Sequence, residues 1–163
     1  VVVACGDVYD PLILGAAKAF SATGIYAVKG NHDLPGALPP PITDLHLQVV
    51  TLPNGMRVGG FNGARRYKPR GNFLYSQEEA TLLLQQLPPV DIVVSHNSPA
   101  GVHERDADVH QGFVALTDYI GRHSPRLVIH GHQHVSAEFS PGLKVNEALN
   151  DLIASCLRAS NIQ

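Results

Sequence analysis

Hydrophobic and polar positions fall in blocks along the chain, and the blocks predict strands and helices in turn. Val1 to Cys5 is a continuous apolar run, the pattern of a strand covered on both faces. Gly6-Asp7-Val8-Tyr9-Asp10 ends it. Asp10 followed by Pro11 reads as an N-cap and first turn. A helix is expected from there to about Ala22, with Leu12, Ile13, Ala16, Ala19 and Phe20 on its apolar face and Gly24 as its stop. A short strand, Ile25 to Val28, then leads into Lys29-Gly30-Asn31-His32-Asp33. Strand, helix, strand is one βαβ unit, so these two strands should be parallel.

Leu34 to Pro41 carries four prolines and reads as an irregular loop. Leu45, Leu47 and Val49 alternate with polar residues and predict a half-buried strand. Pro53-Asn54-Gly55 is a hairpin turn, with Met56 to Phe61 returning antiparallel. Asn62 to Tyr75 is a basic loop holding Arg65, Arg66, Lys68 and Arg70. Ser76-Gln77-Glu78-Glu79 is a capping box that opens a helix to about Leu87. Val90 to Ser95 is a buried-type strand ending at His96, and a polar loop follows to about Gln111. Phe113 to Arg122 fits a helix, and Arg126 to Ile129 a strand that runs into His130-Gly131-His132-Gln133-His134. Pro141-Gly142 marks a turn, and Ala148, Leu149, Leu152, Ile153, Cys156 and Leu157 recur at helical spacing.

Bulk composition narrows the function little. The 163 residues suffice for one domain with a core, and the net charge of −2 gives no general pull on nucleic acid or anionic membrane. No apolar run reaches the length of a membrane span. Cys5 and Cys156 make no disulfide framework, so a cytoplasmic location is expected. The chain begins with Val1 inside a core-type strand, which leads us to expect a domain truncated at its N-terminus.

Candidate chemistry changes the picture. Four strands of parallel type end at metal-capable groups: Asp7, Asn31 with His32, His96, and His132 with His134. Ligands bind beyond the carboxyl ends of strands in α/β sheets, so these groups are expected at one edge of one sheet. In extended chain, positions i and i+2 share a face, which lets His132 and His134 aim into one space. Carboxylate, amide oxygen and imidazole suit a borderline divalent metal such as Mn, Fe or Zn. The set lacks the thiolates of a structural zinc site.

Gly6-Asp7-Val8-Tyr9-Asp10, Gly30-Asn31-His32-Asp33, His96 and Gly131-His132-Gln133-His134 together resemble the calcineurin-like metallophosphoesterases. Phe61-Asn62-Gly63-Ala64-Arg65-Arg66-Tyr67 and Ser95-His96-Asn97-Ser98-Pro99 look most like the small bacterial phosphoesterases of that family. The resemblance implies a single domain over 1–163, a four-layer α/β/β/α sandwich with two divalent metals. In it Asp7 would bridge the metals, Asn31, His96 and His132 would complete one site, and His134 would belong to the other. The family's opening Asp-x-His motif and its strand and helix would lie upstream of Val1.

The same resemblance implies hydrolysis of a phosphate ester, monoester or diester, by a metal-activated water. His32 would assist the leaving group, oriented by Asp10, since a carboxylate partner fixes an imidazole's tautomer and raises its basicity. Arg65 or Arg66 would hold a non-bridging oxygen of a small phosphorylated substrate, against a simpler reading as a solvated basic loop. His103 and His110 are open between pocket lining and loop solvation, His130 reads as structural, and His46 and His123 as surface residues. Two alternatives remain: a metal-binding scaffold without catalysis, and a nuclease of the same superfamily, which the acidic charge disfavours and the basic loop keeps in play.

Overall fold

The computed structural model describes residues 1–134. The turn at Pro141-Gly142 and the helical spacing from Ala148 to Leu157, with Cys156, lie outside the described residues.

The predicted βαβ unit forms. Strand β1 (Val2–Cys5) and strand β2 (Ile25–Val28) pair in parallel, joined by helix α1 (Asp10–Ala19), and β3 (Thr43–Asp44) adds to β2, again parallel. Strand alternation divides the side chains between two faces. Ala4, Ile25 and Ala27 turn to α1 and meet Ile13 and Ala17. Val28, with the partly buried Val3, Cys5 and Tyr26, turns the other way. That two-sided burial is why Val1–Cys5 reads as an unbroken apolar run.

A second sheet receives the other face. β4 (Val49–Thr51) and β5 (Arg57–Phe61) form the predicted hairpin, closed by a Gly55 N–H to Leu52 carbonyl bond of 2.9 Å. β5 then pairs in parallel with β8 (Ile92–Ser95), and β8 with β9 (Leu127–His130), giving the order β4-β5-β8-β9. Val58, Ile92 and Val94 pack against Val28 and Leu45 in the seam between the sheets. Phe61 and Val93 face outward to α2 (Gln77–Leu84) and α3 (Val114–His123), meeting Ala80, Leu84, Leu116 and Tyr119. The capping box at Ser76 and Glu79 is present with both of its hydrogen bonds. A short parallel pair, β6 (Ala64–Arg65) with β7 (Leu74–Tyr75), carries the basic loop.

Four expectations need correction. The metal-capable strands do not share one sheet: β1 and β2 lie in the first, β8 and β9 in the second. The antiparallel hairpin starts a separate sheet, and the two are packed face to face so that their carboxyl ends meet. The alternation over Leu45, Leu47 and Val49 is not one strand, because Leu47 takes a φ of 56° and the chain passes there from the first sheet to the second. Helix α1 starts at Asp10, with Tyr9 at the cap position and no capping side chain, and ends at Ala19. Its buried stripe is Ile13 and Ala17, one i, i+4 pair, whereas Leu12 is 65% and Phe20 62% exposed. His46 is not a surface residue: its Nδ1 accepts the Asn62 N–H at 3.1 Å and its ring packs on Phe61 and Tyr75.

Gly60 shows how tightly the seam is filled. A Cβ there would stand 2.6 Å from Val28 Cγ1 and 2.7 Å from the Val94 carbonyl. Overpacking of this kind typically costs about 1–3 kcal/mol. Gly60→Ala should therefore lower the urea midpoint by that amount, while Gly121→Ala, on α3 with nothing within 4 Å of the added atom, should raise stability by up to about 1 kcal/mol. Equal midpoints for the two variants would count against this packing.

Candidate metal centre

Backbone conformation delivers the ligands first. Gly6 at φ 83° and Asp7 at φ 56° turn the chain sharply after β1. Asp33, a residue with no role expected from sequence, holds that turn: its Oδ2 accepts the N–H of Asp7 at 2.9 Å and of Gly30 at 2.7 Å. Asp7 in turn divides its oxygens. Oδ1 accepts the His32 N–H at 2.8 Å, and Oδ2 lies 3.4 Å from His96 Nε2.

His96, only 1% exposed, is the hub. Its Nδ1 stands 2.7 Å from the Cys5 carbonyl, which fixes the proton there. Burial holds this imidazole below its usual pKa, against the raising effect of the Cys5 bond, so the ring is neutral and Nε2 is bare. Around that bare nitrogen stand Asn31 Oδ1 at 3.0 Å and His132 Nδ1 at 3.1 Å, besides Asp7 Oδ2. His132 is set the same way, its Nε2 bonding the Val109 carbonyl at 2.7 Å and leaving Nδ1 with a lone pair. Burial, reinforced by His96, brings the His132 pKa down to about 4. Asn31 is oriented by its amide nitrogen, which bonds the Tyr67 hydroxyl at 3.2 Å.

Four lone pairs thus point at one another with no proton to share. Such an arrangement is repulsive unless a cation lies among the donors. The separations of 3.0–3.4 Å are the edges of a coordination shell with metal–ligand bonds of about 2.0–2.2 Å. The donor set of one carboxylate, one amide oxygen and two imidazoles therefore fits a divalent metal.

The turn Asp108–His110, with Gln111 after it, braces this centre through three successive carbonyls. Val109 O accepts from His132, His110 O from Gln133 Nε2 at 2.8 Å, and Gln111 O from Asn97 Nδ2 at 2.9 Å. Gln133 is fully buried and also bonds Ser98 Oγ at 2.8 Å, with its own Oε1 unpartnered. Nothing in the sequence marks Gln133 beyond its place between two histidines.

The remaining candidates are placed differently. His134 is exposed at φ 51°, and His32 is exposed beside Asp7. Among the described residues no hydrogen bond joins Asp10 to His32. Arg65 pairs with Asp108 at 3.0 Å, and Arg66 with Glu79 at 2.8 Å and the Leu74 carbonyl at 3.0 Å. His130 Nε2 and His103 Nδ1 lie 3.1 Å apart, and His110 bonds Arg105. His123 is half-buried against Tyr119 rather than solvated.

The family model for calcineurin-like phosphoesterases matches residues 1–136. The chain belongs to this family. Its members generally hydrolyse phosphate esters and bind divalent metals, so the family and the donor set agree. A solved crystal structure shares the fold at a TM-score of 0.58 and 19% identity, covering 84% of this chain. This chain spans 60% of the length of that one. No curated protein matches the chain.

Two outcomes are expected. Asp7→Asn keeps an acceptor for His32 N–H but removes the charge from the centre, so it should weaken divalent metal binding at least about tenfold with little loss of fold. Elemental analysis after dialysis checks this, and unchanged stoichiometry would count against Asp7 as a ligand. The second concerns pH in the metal-free chain. His132 has a folded pKa of about 4 against an unfolded value of about 6.5. The unfolded chain takes up that proton first, so the stability is present above pH ~6.5 and is lost as pH falls towards 4. Urea midpoints should drop across that window and drop less in His132→Gln.

Proposed function

We propose that this chain hydrolyses small phosphate esters in a metal-dependent reaction, with Asp7 shared between two divalent ions. The observation that carries the reading is the convergence of bare donor atoms on His96 Nε2. Asp7, Asn31, His96 and His132 would hold one ion, and His134 belongs to the second, with Mn, Fe or Zn suiting the donors. When bound, the metal ions polarise the phosphoryl oxygens and lower the pKa of water.

The chain's own residues supply the rest. His32 is exposed and its backbone N–H is held by Asp7, which supports giving it the protonation of the departing oxygen. Asp10, in the first turn of α1, is the carboxylate assigned to orient it. Arg65 is the arginine assigned to the phosphoryl group, since Arg66 is bound to Glu79 and to the Leu74 carbonyl. With Arg65 and Arg66 paired to carboxylates, the loop has less free positive charge, which supports a small phosphorylated substrate over nucleic acid. The three apolar clusters, one beneath α1, one between the sheets and one beneath α2 and α3, support the four-layer sandwich for the domain. Among the described residues no helix is long and apolar enough to cross a membrane, and a cytoplasmic location is our proposal.

His32→Ala tests the acid role. It should keep bound metal and lower kcat on alkyl phosphate esters by about 10²-fold or more. The loss should be much smaller on nitrophenyl esters, whose leaving group needs little protonation. An equal loss on both would count against the role, and loss of metal would make His32 a ligand.

A further inference from the structure

Arg65 is linked to two sides of the metal centre through its chain neighbour and its ion-pair partner. Two residues along its loop, Tyr67 bonds Asn31. Across from it, Asp108 neighbours Val109, whose carbonyl holds His132. An anion seated on the centre would therefore border the Arg65 guanidinium, and that guanidinium is already engaged. Asp108 Oδ1 takes one Nη2 hydrogen at 3.0 Å, while Arg65 Nε is buried without a partner. A phosphoryl oxygen can take the Nη2 hydrogen that Asp108 now holds. The Asp108 side chain is 76% exposed, so its hold on Arg65 is weak and open to exchange.

We propose that Asp108 is a specificity-determining residue: a built-in competitor for Arg65 that favours monoanionic phosphodiesters over dianionic monoesters. The inference rests on the phosphoesterase reading above and names the substrate class within it. Two charges are at work. Asp108 cancels the positive charge of Arg65, and its own charge repels each negative charge on the ligand, so a dianion meets the penalty twice and a monoanion once. Of the other cations on this side, Lys29 and Arg66 are tied to their own acceptors. Lys29 Nζ, on the strand end that carries Asn31, is bound to the carbonyls of Leu34 and Gly36 at 2.8 and 2.7 Å. Arg66 is bound to Glu79, and Lys68 lies over the Tyr67 ring.

The experiment measures binding, not turnover. The full chain is loaded with manganese, and inorganic phosphate and dimethyl phosphate are titrated by calorimetry at pH 8, where the first is mostly dianionic and the second monoanionic. In Asp108→Asn both anions should bind more tightly, and the ratio of phosphate to dimethyl phosphate affinity should rise about fivefold, the factor for one like-charge contact at about 4 Å in water. Asp108→Glu restores the charge and should restore the original ratio. Arg65→Gln should weaken both anions. An unchanged ratio in Asp108→Asn, with wild-type binding intact, overturns the proposal alone. A loaded wild-type chain that binds neither anion overturns the phosphoesterase reading and the proposal with it.

Discussion

The seam between the two sheets is closed at its functional end by one imidazole. His96 leaves the end of β8 in the second sheet and hydrogen-bonds the Cys5 carbonyl at the end of β1 in the first. That bond does two things at once. It ties the carboxyl ends of the two sheets together, and it selects the tautomer that leaves Nε2 bare. Packing and chemistry are therefore set by the same atom pair: shift the sheets and the ring loses its orientation, turn the ring and the sheets lose a tie. The Gly131 N–H bond to the His96 carbonyl at 3.0 Å brings β9 and its histidines to the same point. Asp33 does the corresponding work within the first sheet, holding the Asp7 and Gly30 turns on one carboxylate oxygen.

What could be read from the sequence was what local rules govern. The βαβ unit, the hairpin at Pro53-Asn54-Gly55 and the capping box at Ser76 depend on residues close in the chain, and each formed where its signals lay. The convergence of Asp7, Asn31, His96 and His132 was legible because strand ends collect ligands whatever their order in sequence. Their division between two sheets was not, since it turns on a single left-handed residue, Leu47, whose side chain gives no sign of the conformation. His46 misled for a similar reason: its partners, Asn62 and Tyr75, come from segments 16 or more positions away. The roles of Asp33 and Gln133 are likewise set by distant partners, and neither residue type announces them.

The neutral state of both histidines follows from the same packing. Burial lowers the pKa of His96 and His132, and each ring spends its one proton on a carbonyl. An exposed pair would still carry a proton part of the time near neutral pH, and more as the pH falls. Here the fold has already removed that proton, at the cost of pressing lone pairs together in the metal-free chain. The centre is thus poised for a divalent ion before one arrives.

The brace behind His132 is made of main-chain oxygens. Val109, His110 and Gln111 each offer a carbonyl, and their side chains have no part in those three bonds. As far as these three bonds go, positions 109 to 111 can accordingly vary their side chains so long as the backbone path is kept. Its length has no such freedom, because inserting or deleting one residue would offset all three carbonyls from His132, Gln133 and Asn97 together. For the brace itself, spacing rather than residue identity is what positions 109 to 111 must preserve.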